Sequence, residues 1–218
     1  MTKEAFAPYA EDVDTLVAAR IAEWQETAEQ YINMGYDDPW QTYMGYEQRS
    51  GKRIYDVKYD EIYNMYWDSE YVAYCFGMND EGVQTASVAV KEFRTTAPVP
   101  SNNTFTITID SITKSSVVFT VEPTTDEPYY VTIETIDVLA PYGPDKENSY
   151  EDLLKYLTPD YDSTIEKRTF SGKQTITNSD IGKTMNSMKT YKVVVWGFDN
   201  GPTTDVFMSE EFKPADPE

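Results

Sequence analysis

Between residues 31 and 74 the chain carries ten tyrosines and two tryptophans. Such rings join a large apolar face to a polar handle, which suits sugar faces and protein partners alike. Trp40, Tyr43, Tyr46 and Tyr63 are the candidate ligand-binding residues, because none of them has a counterpart in an internal repeat. Tyr36 and Tyr71 do recur, and are expected to be structural. Catalysis has little to work with. The chain has no histidine, which excludes Ser-His-Asp, Cys-His and histidine-based metal chemistry. One cysteine, Cys75, forms no intramolecular disulfide and no thiolate cluster. Its place on a strand beside Tyr71 and Ala73 predicts a buried structural thiol. The acidic groups Asp37-Asp38, Asp56 with Asp60-Glu61, and Asn79-Asp80-Glu81 do not follow calcium-loop spacing and read as solvated surface. Ser171-Gly172-Lys173 lacks the preceding glycines of a phosphate loop. With 38 acidic residues, any fold supplies a carboxylate pair, so such pairs do not by themselves mark a hydrolase. The expectation is a protein with no enzymatic activity, no metal and no cofactor.

Composition narrows the partners. The 218 residues hold 18 basic and 38 acidic side chains, a formal charge of -20. That field repels phosphate backbones and anionic lipid, which argues against nucleic acid. No apolar run approaches the ~20 residues that span a bilayer, and Met1-Thr2-Lys3-Glu4 leads into no signal-peptide core. Apolar residues make up 40%, enough to build a core despite the charge. The expected solution state is a monomer.

The elements that must position the rings follow from the repeat. Met65, Ser69, Tyr71, Ala73, Cys75 and Gly77 align with Met185, Lys189, Tyr191, Val193, Val195 and Gly197 at a constant offset of 120. After a one-residue gap, Gly82, Thr85 and Phe93 match Gly201, Thr204 and Phe212. Further upstream, Tyr36 matches Tyr156. Two modules of -10 charge each, 1–97 and 98–218, joined by a Pro/Ser/Asn stretch, is the reading. In the second module alternation predicts strands at Thr104–Ile109, Ser116–Val121, Tyr129–Ile133, Gln174–Thr177 and Tyr191–Trp196. Asp199-Asn200-Gly201 is a hairpin turn, with Val206–Phe212 pairing back. Ser149 with Asp152 three residues on marks a helix start, with Leu153, Leu154 and Leu157 on one face. In the first module a long helix over 12–34, capped by Asp12 and stopped at Gly35, precedes strands at Arg53–Val57, Glu70–Phe76 and Ala86–Phe93. The fold class expected is mainly β: two tandem immunoglobulin/fibronectin III-like antiparallel sandwiches, each with an inserted helix. The first module has no counterpart of the second's first two strands. Truncation, a smaller variant sandwich, or a strand supplied by another chain would each account for this, in that order of preference.

The stretch from Met185 through Ser187, Lys189 and Tyr191 to Val195 resembles the corner of fibronectin type III modules, where the tyrosine hydroxyl bonds back to upstream backbone. The combination of Tyr129-Tyr130-Val131, an inserted helix, a Ser-Gly strand start and the Asp199–Thr204 turn resembles fibronectin/immunoglobulin-like modules of secreted Bacteroidetes surface lipoproteins. The resemblance implies an extracellular or cell-surface (or periplasmic) protein whose modules bind glycan or protein partners or act as spacers. Two alternatives stand beside it: a fragment of a carboxylate-dependent polysaccharide hydrolase, and an adhesin subunit that assembles by strand addition.

Overall fold

A computed structural model describes residues 1–52, 65–158 and 162–215. Among them the chain is mainly β, with nine strands in three antiparallel sheets and six helices. They fall into two compact units, residues 1–52 with 68–96, and residues 65–67 with 97–215.

The first unit opens with a short helix α1 (Lys3–Phe6), a 3-10 turn (Ala7–Tyr9), and the long helix α2 (Asp14–Ile32). Helix α2 begins two residues later than expected, with Val13 rather than Asp12 at its N-cap and no side-chain cap bond. Asp12 accepts from the Asp14 amide at 3.2 Å, and Gly35, at φ +93°, follows the C-terminal end of the helix. A third helix, α3 (Trp40–Glu47), starts after Pro39. It was not legible as a helix, because its glycine and aromatic residues carry weak propensity. Strands β1 (Glu70–Met78) and β2 (Gln84–Arg94) form an antiparallel hairpin. Phe6, Leu16 and Val72 are its buried contact with the helices, joined by Val13, Tyr74 and Val88.

Two strands cannot make two facing sheets. Among the described residues the first unit is therefore a helix-backed hairpin rather than the sandwich expected there, and the strand expected at Arg53–Val57 lies outside them. Cys75 is corrected with it. Val72 and Tyr74 take the helix-facing side of β1, so the alternate positions Ala73 and Cys75 are exposed. Their counterparts Val193 and Val195 are buried because a second sheet lies over them.

The second unit has that second sheet. Strands β3 (Phe105–Ile112), β4 (Val117–Pro123) and β7 (Gln174–Thr177) form one sheet, in the order β3-β4-β7. Strands β5 (Tyr129–Thr135), β6 (Thr169–Phe170), β8 (Tyr191–Gly197) and β9 (Phe207–Met208) form the other, in the order β6-β5-β8-β9. Phe105, Val117, Phe119 and Val121 pack with Tyr129, Val131, Ile133, Val193 and Val195 in one buried apolar interior. The helices α4 (Ile136–Leu139), α5 (Tyr150–Leu157) and α6 (Asp162–Arg168) complete the unit. Leu139, Leu153, Leu154 and Leu157 cover Tyr130, Val194 and Trp196 on the outer side of the four-stranded sheet. Burial on both sides explains why β5 and β8 read as near-continuous apolar runs. The capping box at Ser149 and Asp152 is formed as expected.

Both hairpins keep the landmarks of the repeat. Tyr71 stacks on Phe93 at 5.8 Å and 23°, and Tyr191 on Phe212 at 6.0 Å and 26°. A Cβ on Gly77 would meet the Thr85 hydroxyl at 2.7 Å, and one on Gly197 would meet the side chain of Thr204 at 2.7 Å. The Tyr191 hydroxyl accepts from the upstream Asn186 amide at 3.0 Å.

A titration follows from β5. Tyr129 has no exposed surface, donates its hydroxyl to the Gly172 carbonyl at 2.8 Å, and has its pKa pushed up to about 12 by burial. The unfolded chain loses this proton near pH ~10. The stabilising contribution is therefore complete below that pH and is lost as pH rises through about 12. Burial pushes Tyr130 in the same direction, against the pull of the Arg168 cation. Thermal midpoints across the alkaline range should fall for the native protein and fall less steeply for Tyr129→Phe. Parallel curves would contradict the assignment.

Candidate functional site

The candidate rings sit on α2, α3 and the turn between them. Leu16, Val17, Trp24 and Ala28 form the buried stripe of α2, and Met44 is the buried residue of α3. Arg20 fixes the far end of α3: its guanidinium donates to both Glu47 carboxylate oxygens at 2.6 and 2.5 Å. It also pairs with Glu23 and lies 5.4 Å over the Trp24 ring. Trp24 adds a bond from its indole nitrogen to Glu47 at 3.3 Å. A charged pair this well shared holds a two-turn helix that propensity alone would not hold.

Of the four expected site residues, Tyr43 and Tyr46 come together, with ring centroids 6.2 Å apart. Tyr43 stacks on Tyr31 at 5.3 Å, and Tyr31 meets Tyr36 edge-on at 5.9 Å. The result is a continuous row in the order Tyr36, Tyr31, Tyr43, Tyr46. Three of its members are exposed, Tyr46 by 68%, Tyr36 by 59% and Tyr31 by 42%. Burial first, then the Asp38 charge, holds the Tyr43 phenol above its usual pKa. Trp40 takes a different role. It stacks on Trp24 at 6.3 Å and 10°, with the edge of its ring against Gly82, where an added Cβ would come within 2.2 Å. Tyr63 lies outside the described residues.

Tyr36 was expected to be structural and is not. Its counterpart Tyr156 is itself 62% exposed, so recurrence marks a common surface position here rather than a core one. The apolar spacing of the helix predicts Tyr31 on the same face as Leu16, Trp24 and Ala28. The buried stripe ends at Ala28, and the last turn of α2 presents Tyr31 to solvent and to Tyr43. No feature of the sequence distinguishes that turn from the ones before it.

The arrangement is suited to binding flat apolar faces edged with hydroxyls. Among the described residues no group of three or more His, Cys, Asp or Glu side chains could hold a metal ion, and no helix is long and apolar enough to cross a membrane. Asp152 and Asp180 are held below the usual carboxylate range by hydrogen bonds from Ser149 and Thr177, which commits both to local structure. No family model matches the chain, and neither a curated protein nor a solved structure is significantly similar to it.

Proposed function

We propose that the chain is a non-catalytic, extracellular tandem module of a bacterial surface protein, which binds a glycan or protein partner through its tyrosine row and spaces that site from its anchor. The observation that carries the reading is the row itself: four rings in mutual contact, three of them exposed. Solvent-facing rings of this size are expensive to leave bare, and contiguous ones provide a stacking surface for a sugar or a partner side chain. The fibronectin III-like reading of the second unit draws support from its two facing sheets and from the Tyr191 corner bond. Support for modularity comes from the shared hairpin landmarks of the two units.

The test is a glycan array, with affinities then measured for any hit on the native protein and on Tyr43→Ala/Tyr46→Ala. Loss of two stacking contacts should weaken binding by about tenfold or more. Trp40→Ala is a poor probe, because the Trp24 stack makes it a packing substitution. Unchanged affinity in the tyrosine variant would remove the row as the site. Turnover of any polysaccharide, abolished by one carboxylate substitution, would overturn the non-enzymatic reading.

A further inference from the structure

Beside α2 the first unit has an open groove of about 410 Å³. Its apolar lining is Ala28 and Ile32 of α2, Pro39 of the turn and Trp40 at the start of α3, of which Ala28 is buried, Trp40 half-buried, and Ile32 and Pro39 exposed. Three carboxylates share that lining, Glu29, Asp37 and Asp38. Gln25 is the remaining lining residue, so among the described residues no cation lines the groove. None of the three carboxylates forms an ion pair or accepts a side-chain hydrogen bond among the described residues, and all three residues are exposed. Arg20, on the same helix, is already engaged by Glu23 and Glu47.

Apolar surface and unneutralised carboxylates together define the chemistry of an occupant. A sugar would satisfy the ring but leave the charge unanswered. An anion would be repelled. A metal ion would gain nothing from Ile32 and Pro39. A long alkyl chain ending in a cation matches both parts, since it can lie along apolar surface while its head stays among oxygens. Arginine fits best, because its planar guanidinium stacks on indole and bonds to carboxylates at once. An open groove, rather than a closed cavity, suits a side chain presented from an extended segment.

We propose that this groove binds an arginine or lysine side chain on a basic peptide segment of a partner protein, the stem against Ile32, Pro39 and Trp40 and the charge among Glu29, Asp37 and Asp38. The groove adjoins the tyrosine row, since the Asp38 charge also acts on Tyr43, but its occupancy does not depend on the row's binding anything. The whole chain, at -20, will attract any polycation weakly, so the experiment must separate local from diffuse attraction.

The probe is a short fluorescent peptide of alternating arginine and serine, with a second peptide in which citrulline replaces each arginine. Binding to the native chain is measured by anisotropy at about 0.15 M salt. Asp37→Asn/Asp38→Asn is compared with Glu147→Gln/Glu166→Gln, which removes the same charge from exposed positions of the second unit. The groove variant should lose about tenfold or more in affinity, the charge-matched control less than about twofold, and the citrulline peptide should bind about tenfold more weakly than the arginine peptide. Equal losses in both variants, equal binding of the citrulline peptide, or no binding of the arginine peptide would each overturn the proposal. So would competition by spermidine at the same potency as the peptide, which would assign the groove to a free polyamine. Circular dichroism of the variants confirms that the comparison is between folded proteins.

Discussion

Trp196→Ala should destabilise the second unit by about 3–5 kcal/mol, the range for removing a large ring from a packed interior. Trp196 has no exposed surface and is the largest of the fully buried side chains. It stands on β8, on the helix-covered side of the four-stranded sheet, with the Tyr130 ring 4.6 Å away. Around it lie Leu153, Leu154, Leu157 and Phe198. The rigid sheet beneath and the short, capped helix above leave little room for collapse, so most of the cavity should persist. Trp196→Phe should cost less than half as much. Its smaller ring fills part of the space, and the native indole nitrogen is buried with no hydrogen-bond partner among the described residues. Deleting that nitrogen removes a desolvation cost of about 1–3 kcal/mol. Urea unfolding followed by far-ultraviolet circular dichroism measures both changes, and hydrogen exchange at β5 and β8 assigns them to the second unit. A loss below about 1 kcal/mol for the alanine variant would show that the helix layer is not a packed interior.

Asn178→Ala should be next in size, at about 2–4 kcal/mol, because one small amide makes three hydrogen bonds to backbone and ties the 178–183 turn to the start of β4. Its side-chain oxygen accepts from the Val117 amide at 3.1 Å, in a residue with no exposed surface. Its side-chain nitrogen donates to the Lys183 carbonyl at 2.8 Å and the Ser115 carbonyl at 3.4 Å. Alanine would leave the Val117 amide without its side-chain acceptor and would detach the 178–183 turn from β4. Asn178→Asp separates the two halves of the effect. A carboxylate still accepts from Val117 but cannot donate to Lys183 or Ser115, and it brings a charge into a buried place. The aspartate variant should therefore be no more stable than alanine at neutral pH and should recover in part as pH falls and the carboxyl protonates. If aspartate matches the native protein at neutral pH, the two carbonyl bonds contribute nothing.

Most of the second unit was legible because each of its signals is local. Alternation in β3 and β4 reports one apolar side per strand, the apolar runs of β5 and β8 report two, and Ser149 with Asp152 reports a helix start within four residues. The repeat located hairpin geometry as well, since its landmarks are contacts between β1 and β2 or within residues 191–212: tyrosine on phenylalanine, glycine against threonine. Asn178 left no such signal. It reads as a loop residue between Thr177 and Ser179, and only the arrival of Val117 from 61 residues away gives it a role.

The candidate site divides the same way. Composition alone identified a ring-rich stretch and placed Tyr43 and Tyr46 in it. Which rings would face solvent depended on α3, a helix with weak local preference that exists because Met44 is buried and Arg20 holds Glu47. Its docking turned Trp40 into a packing residue and brought Tyr31 and Tyr36 into the row. Cys75 shows the same division: strand parity set which side of β1 it occupies, but on that side Tyr71 is buried and Cys75 is exposed, and among the described residues the first unit supplies no second sheet to cover it. By itself, then, the sequence determined most strand positions of the second unit, the existence of α2 and the start of α5, turn chemistry and the exclusion of histidine and disulfide chemistry, all of which depend on residue type and short-range spacing. Tertiary structure alone decided which side of each element is covered, which rings touch, and where unpaired carboxylates meet an apolar surface. Those depend on what a distant segment brings against a surface, and periodicity carries no record of that.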